Sequence, residues 1–131
     1  MNQAVSLNSI NPLIRGGQDL EKTVVFYEEQ LGFTRIHQEG DPIYMAVVKR
    51  DSAQIFLVQN EHMNLAQGAS LRINVNEVEE LYAELQAKGG EIINSDGELE
   101  TKPWGMKEFV VLDPIGNCLT FCEPANNRST N

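Results

Sequence analysis

One pattern of helix and strand residues occurs twice along the chain, and this repeat constrains the fold more than any single motif. Apolar residues at helical spacing occupy two segments, the first after Asp19 and the second after Asn76. Asp19 and Gly32 in the first segment align with Glu77 and Gly90 in the second at one common offset of 58 residues. We therefore predict an internal duplication in which each half is built around one helix.

Capping residues set the predicted ends of the two helices. Asp19 is the predicted N-cap of the first helix, and Gly32 ends it. Asn76 and Glu79 have the spacing of a capping box for the second helix, which Gly89-Gly90 ends. The predicted buried faces of the two helices contain Leu20, Val24, Tyr27 and Leu31, and Val78, Leu81, Tyr82 and Leu85.

Short segments with strand character flank each helix in the same order, which predicts a βαβββ unit in each half. We predict an α+β fold in which two tandem βαβββ modules, at about 8–60 and 69–123, form a cupped mixed sheet with the helices on its outer face. Residues 1–131 make one domain. The linker 61–68 is polar, and the tails 1–6 and 124–131 are expected to be disordered. The predicted strands are Asn8–Arg15, Thr34–Gln38, Ile43–Lys49, Gln54–Gln59, Ser70–Val75, Glu91–Ser95, Glu108–Leu112 and Cys118–Glu123.

The charge balance narrows the classes of partner. With 19 acidic and 10 basic residues the net charge is −9, which argues against nucleic acid, whose binding depends on basic side chains. A negative surface is compatible with attracting a cationic ligand. The sequence has no apolar run long enough to span a membrane and no secretory signal pattern, so a cytoplasmic location is expected. Cys118 and Cys122, about 13 Å apart on one predicted strand, are expected to be free thiols.

A segment near the C-terminus contains the most specific motif of the chain. Pro103-Trp104-Gly105 leads into a strand that ends in the turn Asp113-Pro114-Ile115-Gly116-Asn117, and a last strand follows at once. Together with the paired βαβββ plan, this run resembles the glyoxalase/bleomycin-resistance/dioxygenase (vicinal oxygen chelate) superfamily. Within that group it is closest to the bleomycin-resistance proteins. The resemblance covers roughly residues 8 to 123.

The resemblance also implies where a metal would bind in the catalytic members of the superfamily. The corresponding positions of this chain are Pro12, Phe56, Ser70 and Thr120. Proline and phenylalanine have no side-chain donor atom, and neutral hydroxyls are weak ligands for a transition metal. We therefore expect no metal, no cofactor and no catalytic residue. The two histidines, His37 and His62, lack the spacing of a preset site and are interpreted as surface residues.

Alternation along the strands predicts a mixed inner face that resembles a ligand cleft. Leu13 is predicted on the opposite, apolar face, and Ile14 on the inner one. Two of the inner residues have two possible roles. Trp104 is either a stacking surface or a core residue. Glu108 either receives a cationic ligand or neutralises Arg72. The candidate ligand-binding residues are Phe56, Ser70, Arg72, Asn74, Trp104, Glu108 and Thr120.

The resemblance implies a metal-free homodimer that sequesters a bulky, cationic antibiotic or metabolite in a cleft at the subunit interface, often with an exchanged N-terminal strand. Two alternatives remain open at this point. One is a metal-dependent glyoxalase-, dioxygenase- or fosfomycin-transferase-like enzyme, which requires metal ligands elsewhere in the chain. The other is a sensor or immunity-type protein for another small metabolite, for which an unpaired Arg72 would favour an anionic ligand.

Overall fold

The computed structural model describes residue 5 and residues 9–59, 68–89 and 91–125. Each half of the chain folds as one βαβββ unit, which confirms the predicted fold class. Among the residues in these ranges, no helix has the length and apolar character needed to cross a membrane. In chain order the elements are β1 (Leu13–Gly17), α1 (Leu20–Glu29), β2 (Thr34–Gly40), β3 (Ile43–Arg50), β4 (Ala53–Gln59), β5 (Ser70–Asn74), α2 (Val78–Gln86), β6 (Glu100–Thr101), β7 (Met106–Leu112) and β8 (Cys118–Pro124).

The strands form two four-stranded mixed sheets with equivalent orders. The first sheet has the order β1-β4-β3-β2, and the second has the order β5-β8-β7-β6. In each sheet the strand before the helix pairs in parallel with the last strand of the unit, while the neighbouring pairs are antiparallel. This shared topology is the structural form of the repeat seen in the sequence.

Both helices pack on one face of the sheets, and the two units share a single apolar core. Ile55 and Leu57 of β4 are buried in it, whereas Phe56 between them points away from it. Among the described residues no helix covers the opposite face of either sheet, and we call these two surfaces the free faces. The buried core side chains are Ile14, Leu20, Val24, Tyr27, Leu31, Phe33, Ile43, Ala46, Val48, Ile55, Leu57, Val78, Leu85, Phe109, Val111, Leu119 and Phe121.

The turn between β7 and β8 joins the two units. Asp113 is buried, and its Oδ2 accepts hydrogen bonds from the Tyr27 hydroxyl of α1 at 2.9 Å and from Asn117 Nδ2 at 2.8 Å. The same Asn117 amide donates to the Arg15 carbonyl of β1. Ile115 lies so close to Gly17, whose φ is +92°, that a Cβ there would be 2.6 Å from its Cγ2. The turn that carries the family resemblance is therefore a clamp between units.

The first helix begins as predicted. The Asp19 side chain accepts a hydrogen bond from Lys22 N at 3.2 Å, which confirms Asp19 as the N-cap. The helix ends slightly earlier than its apolar pattern, with Gln30 as the C-cap. Gly32 follows with a φ of +77°, a backbone conformation that glycine adopts without steric cost.

The predicted start of the second helix is wrong. The N-cap is Glu77, in a left-handed conformation and without a side-chain capping bond, so the box between Asn76 and Glu79 does not form. Instead, the buried Glu123 carboxylate on β8 accepts hydrogen bonds from Glu77 N and Val78 N, both at 3.0 Å. A carboxylate at a helix N-terminus satisfies the free amides as a local cap would. The cap therefore comes from a residue distant in sequence.

The predicted strand Glu91–Ser95 is also wrong. Residues 91–99 make only an isolated bridge between Ile93 and Val111, after which the chain turns through 94–97. Polar turn residues in this segment bend the backbone back toward β7, where Val110 N donates to the Gly97 carbonyl at 2.8 Å. The short edge strand β6 forms later, at Glu100–Thr101.

Several predictions lie partly outside the described residues. The linker 61–67, the tail from residue 126, Gly90, His62 and residues 1–4 and 6–8 belong to this group. Within the described part, β1 begins at Leu13 rather than at Asn8, and β8 extends to Pro124.

Candidate functional site

The free face of the second sheet brings together most of the predicted site residues. In the parallel pair β5 and β8, Arg72 lies beside Thr120 and Asn74 beside Cys122. In the antiparallel pair β7 and β8, Glu108 lies opposite the same Cys122. Residues at paired positions share one face of a sheet, so all of these side chains project on the side away from the helices.

Glu108 is the centre of this face. Its side chain is only 5% exposed, and both of its oxygens accept hydrogen bonds. Arg72 Nη1 donates to Oε1 at 3.1 Å, and Arg72 Nη2 donates to Oε2 at 3.0 Å. The Trp104 indole N–H also donates to Oε2, at 2.8 Å. Hydrogen bonding from the Arg72 guanidinium lowers the pKa of the Glu108 carboxyl, and the indole N–H adds to this effect.

Arg72 crosses one strand to reach this carboxylate. It starts on β5, and β8 lies between β5 and β7, so its side chain extends over β8. Cys122 on β8 is buried although it projects toward the free face, and it lies next to this guanidinium. Burial raises the pKa of the Cys122 thiol. A protonated thiol is a poor nucleophile, so Cys122 is a structural residue of this face.

Trp104 is presented by a tight turn. Lys102, Pro103, Trp104 and Gly105 form a β-turn closed by a hydrogen bond from Gly105 N to the Lys102 carbonyl at 2.9 Å. Proline at the second position and glycine at the fourth are typical of this turn. Trp104 is 61% exposed, while its indole N–H donates a hydrogen bond to Glu108. Of the two interpretations of Trp104, the exposed surface therefore fits the structure and the core residue does not.

The remaining predicted residues are spread over both free faces. Ser70 and Asn74 are exposed at either end of β5, and Thr120 is buried beside Arg72. Phe56 lies on the free face of the first sheet and is half-buried outside the core. The structure thus brings Arg72, Trp104 and Glu108 into contact and leaves Phe56 on the other sheet. A binding role for these residues stays a prediction.

The predicted orientation of the first strand is wrong, and for this reason Arg15 was not among the predicted site residues. Leu13 pairs with Phe56 on the free face and is 40% exposed, whereas Ile14 pairs with Leu57 and is buried in the core. The parallel register, which begins with Phe56 N bonded to the Pro12 carbonyl, sets this orientation. Arg15 therefore also projects to the free face. Its buried Nε has no hydrogen-bond partner among the described residues.

A concave surface that the sequence did not indicate lies on the helix side. A cavity of about 660 Å³ is bounded by α2 and the β3–β4 turn, with Phe33, Ile73 and Phe121 among its apolar lining. Asn74 also lines it, but the Arg72–Glu108–Trp104 cluster does not. The cluster and the cavity are therefore separate features of the molecule.

Comparison with known proteins places this geometry in a family. The sequence profile of the Glyoxalase/Bleomycin resistance protein/Dioxygenase superfamily matches residues 9–121. The chain belongs to this superfamily. A bleomycin resistance protein from Geobacillus stearothermophilus is 28% identical over 120 residues, which cover 79% of this chain and 87% of that protein.

Solved structures of superfamily members superpose closely. The bleomycin-binding protein from bleomycin-producing Streptomyces verticillus, solved in complex with copper(II)-bleomycin, has a TM-score of 0.72 at 25% identity, covering 90% of this chain and 97% of that one. The bleomycin resistance determinant encoded on the transposon Tn5 has a TM-score of 0.73 at 20% identity, covering 90% and 98%. The second likeness concerns the fold alone.

The side chains at the positions that the resemblance assigns to metal ligands do not fit a metal. Phe56 and Pro12 carry no donor atom, and the hydroxyls of Ser70 and Thr120 are weak ligands. Over the described ranges, no three His, Cys, Asp or Glu side chains are close enough together to hold a metal ion. His37 lies on β2, exposed and 2.6 Å from Glu39. The residues present at this site can stack and donate hydrogen bonds.

Proposed function

We propose that this protein binds and sequesters an antibiotic of the bleomycin class without making or breaking a covalent bond. The observation that carries the proposal is the exposed Trp104 indole, held by Glu108 beside Arg72 on a sheet face that no helix covers. An immobilised aromatic surface suits stacking with a planar group of a ligand. The likeness to named bleomycin-resistance and bleomycin-binding proteins supports this ligand class.

We further propose that the cleft is completed by a second copy of the chain. Leu13 is 40% exposed and Leu112 is 43% exposed, and both project from free faces together with Trp104. Large apolar side chains on an open sheet face favour association. A free face of one protomer opposite that of its partner would enclose a bulky ligand between Trp104 and Phe56. Sedimentation equilibrium at micromolar concentration tests the dimer, and a monomer would contradict this part of the proposal.

The charge distribution bears on the proposed cationic ligand. The net charge of −9 attracts a cation from a distance, mainly at low ionic strength. At the site itself Glu108 neutralises Arg72. Arg72 is therefore not the unpaired cation that would favour an anionic ligand. Stacking therefore supplies the local binding energy, and long-range attraction supplies the preference for positive charge. The cytoplasmic location stays a prediction.

The decisive experiment is a titration of purified, metal-analysed protein with metal-free and copper-bound bleomycin. Binding is followed by calorimetry and by the fluorescence of Trp104, the only tryptophan. We expect saturation near one ligand per subunit, with Trp104→Phe weakening binding less than Trp104→Ala because phenylalanine keeps a stacking ring. No binding, together with one tightly held divalent metal per subunit, would replace this proposal with the metal-dependent enzyme.

A further inference from the structure

The Glu108 carboxylate is largely committed to hydrogen bonds within the protein. It is nearly buried, and its two oxygens accept three hydrogen bonds from Arg72 and Trp104. A ligand cation would have to displace Arg72 from a two-pronged, charge-assisted contact. The prediction that Glu108 receives a cationic ligand is therefore the weaker of its two interpretations, and a different role follows from its contacts.

Both partners of Glu108 are planar groups whose outer surfaces remain accessible. The Trp104 side chain projects from its turn, and the hydrogen bond from its indole N–H to Glu108 fixes the rotation of the ring. The fork of two hydrogen bonds from Arg72 fixes the plane of the guanidinium, while the Arg72 side chain remains 50% exposed. A guanidinium plane stacks on aromatic rings as an indole does. One buried carboxylate thus orients two neighbouring stacking surfaces.

We propose that Glu108 is a positioning residue that holds Trp104 and Arg72 as two adjacent stacking surfaces for one planar heteroaromatic group of the ligand. This inference rests on the proposed function for the identity of the ligand, but not for the arrangement itself. Preorganised side chains lose little conformational entropy when a ligand binds, which is why a fixed indole binds more tightly than a rotating one.

The arrangement can be tested without any ligand. Because the chain has one tryptophan, a proton–nitrogen correlation spectrum shows a single indole N–H resonance. We expect this resonance to lie downfield, and to move upfield in acid as Glu108 protonates. The charged and titratable neighbours of Glu108 are Arg72, Lys102, Cys122 and, on the paired strand β6, Glu100. Glu108→Gln should move it upfield and remove the acid transition.

Glu100 provides the matched control. It is an exposed glutamate on β6 directly opposite Glu108, and it pairs with Lys102 rather than with Trp104 or Arg72. We expect Glu100→Gln to keep the downfield position of the indole resonance and to retain an acid transition, since the hydrogen bond from Trp104 to Glu108 is intact. An indole resonance in Glu108→Gln that coincides with that of the unmodified protein would overturn the proposed arrangement.

Binding measurements then distinguish a positioning role of Glu108 from a role in stabilising the fold alone. With copper-bleomycin as the probe, we expect Glu108→Ala to weaken binding at least tenfold, Glu108→Gln to weaken it less, and Glu100→Gln to leave it unchanged. Arg72→Lys keeps a positive charge near Glu108 but lacks the planar group. It should therefore retain thermal stability while losing about as much affinity as Arg72→Met.

Each outcome is informative. Full affinity in a folded Glu108→Ala variant, or full rescue of affinity by Arg72→Lys, would show that the cluster only stabilises the fold and would overturn the proposal. If Glu108→Ala does not fold, the Glu108→Gln and Arg72→Lys variants decide the question. If the unmodified protein does not bind copper-bleomycin, the proposed function fails, while the indole resonance still tests the tethering of Trp104.

Discussion

The clamp between the two units makes Asp113 the most informative residue for a test of stability. Its buried carboxylate accepts four hydrogen bonds: Oδ1 from Ile115 N at 3.1 Å and Asn117 N at 2.9 Å, and Oδ2 from the Tyr27 hydroxyl and Asn117 Nδ2. Asp113→Asn keeps the shape of the side chain but replaces one oxygen with an NH₂ group. Whichever oxygen is replaced, at least one buried donor then faces another donor.

The size of the effect follows from these contacts. A hydrogen bond to a charged group contributes about 1.5–3 kcal/mol, and an unpaired buried donor costs about 1–3 kcal/mol. Removing a buried negative charge offsets part of this loss, because no cation pairs with Asp113 among the described residues. We therefore expect Asp113→Asn to lower the free energy of unfolding by about 2–3 kcal/mol. For a chain of this length that corresponds to a decrease in Tm of roughly 10 °C.

Urea unfolding followed by circular dichroism measures this difference. Tyr27→Phe is the second single variant of a double-mutant cycle with Asp113→Asn. Tyr27→Phe removes one of the four bonds and should cost about 1–1.5 kcal/mol. The double variant should be less destabilised than the sum, because both changes remove the same bond. Asp96→Asn, in the exposed turn before β6, is the control and should change stability by less than about 0.5 kcal/mol.

Two results would refute this reasoning. A loss below about 1 kcal/mol in Asp113→Asn would mean that water or a relaxed turn replaces the lost bonds. Strict additivity in the cycle with Tyr27→Phe would mean that the bond between the units does not couple them. In either case the turn would be a local hairpin connection rather than a clamp.

Three further predictions concern the backbone, pH and metal. Gly17→Ala should cost about 1–3 kcal/mol in urea unfolding, because φ is +92° and the new Cβ would collide with Ile115. Hydrogen bonding from arginine lowers the native-state pKa of Glu108 and of Glu84, which pairs with Arg50. Both pairs therefore stabilise the fold fully above pH about 4.5 and lose that contribution as the pH falls through the lowered pKa values, so Arg50→Met should reduce the decrease in Tm between pH 6 and pH 3. Dialysis against a chelator should leave Tm and bleomycin binding unchanged, and a decrease of several degrees would point to a structural metal.

Local patterns in the sequence were sufficient for the main elements. The helical spacing around Val24 and Tyr27 gave the position of α1, and Asp19 caps it as predicted because a cap involves atoms only three residues apart. The pairing of Arg72 with Glu108 is one of the two interpretations that the sequence left open, since a cation on an inward position requires an acid nearby.

Predictions failed where the partner is distant in sequence. The capping box at Asn76 and Glu79 does not form. The helix amides are instead bonded to Glu123, which lies on β8, the strand that pairs with β5. Arg15 was missed because one apolar residue on each face of β1 makes both orientations of that strand acceptable to a hydrophobic pattern. A strand orientation with two acceptable phases is decided by the register with its neighbour.

The sequence by itself determined the duplicated βαβββ plan, the start of α1 and the superfamily, since these depend on spacing within short segments. Only the tertiary structure decided that Trp104 is tied to Glu108, that Asp113 joins the two units and that Cys122 lies next to Arg72. Each of these depends on which strands become neighbours, because sheet pairing brings together side chains that no local pattern relates. The candidate site is therefore a product of strand order, assembled from residue types that the sequence already displayed.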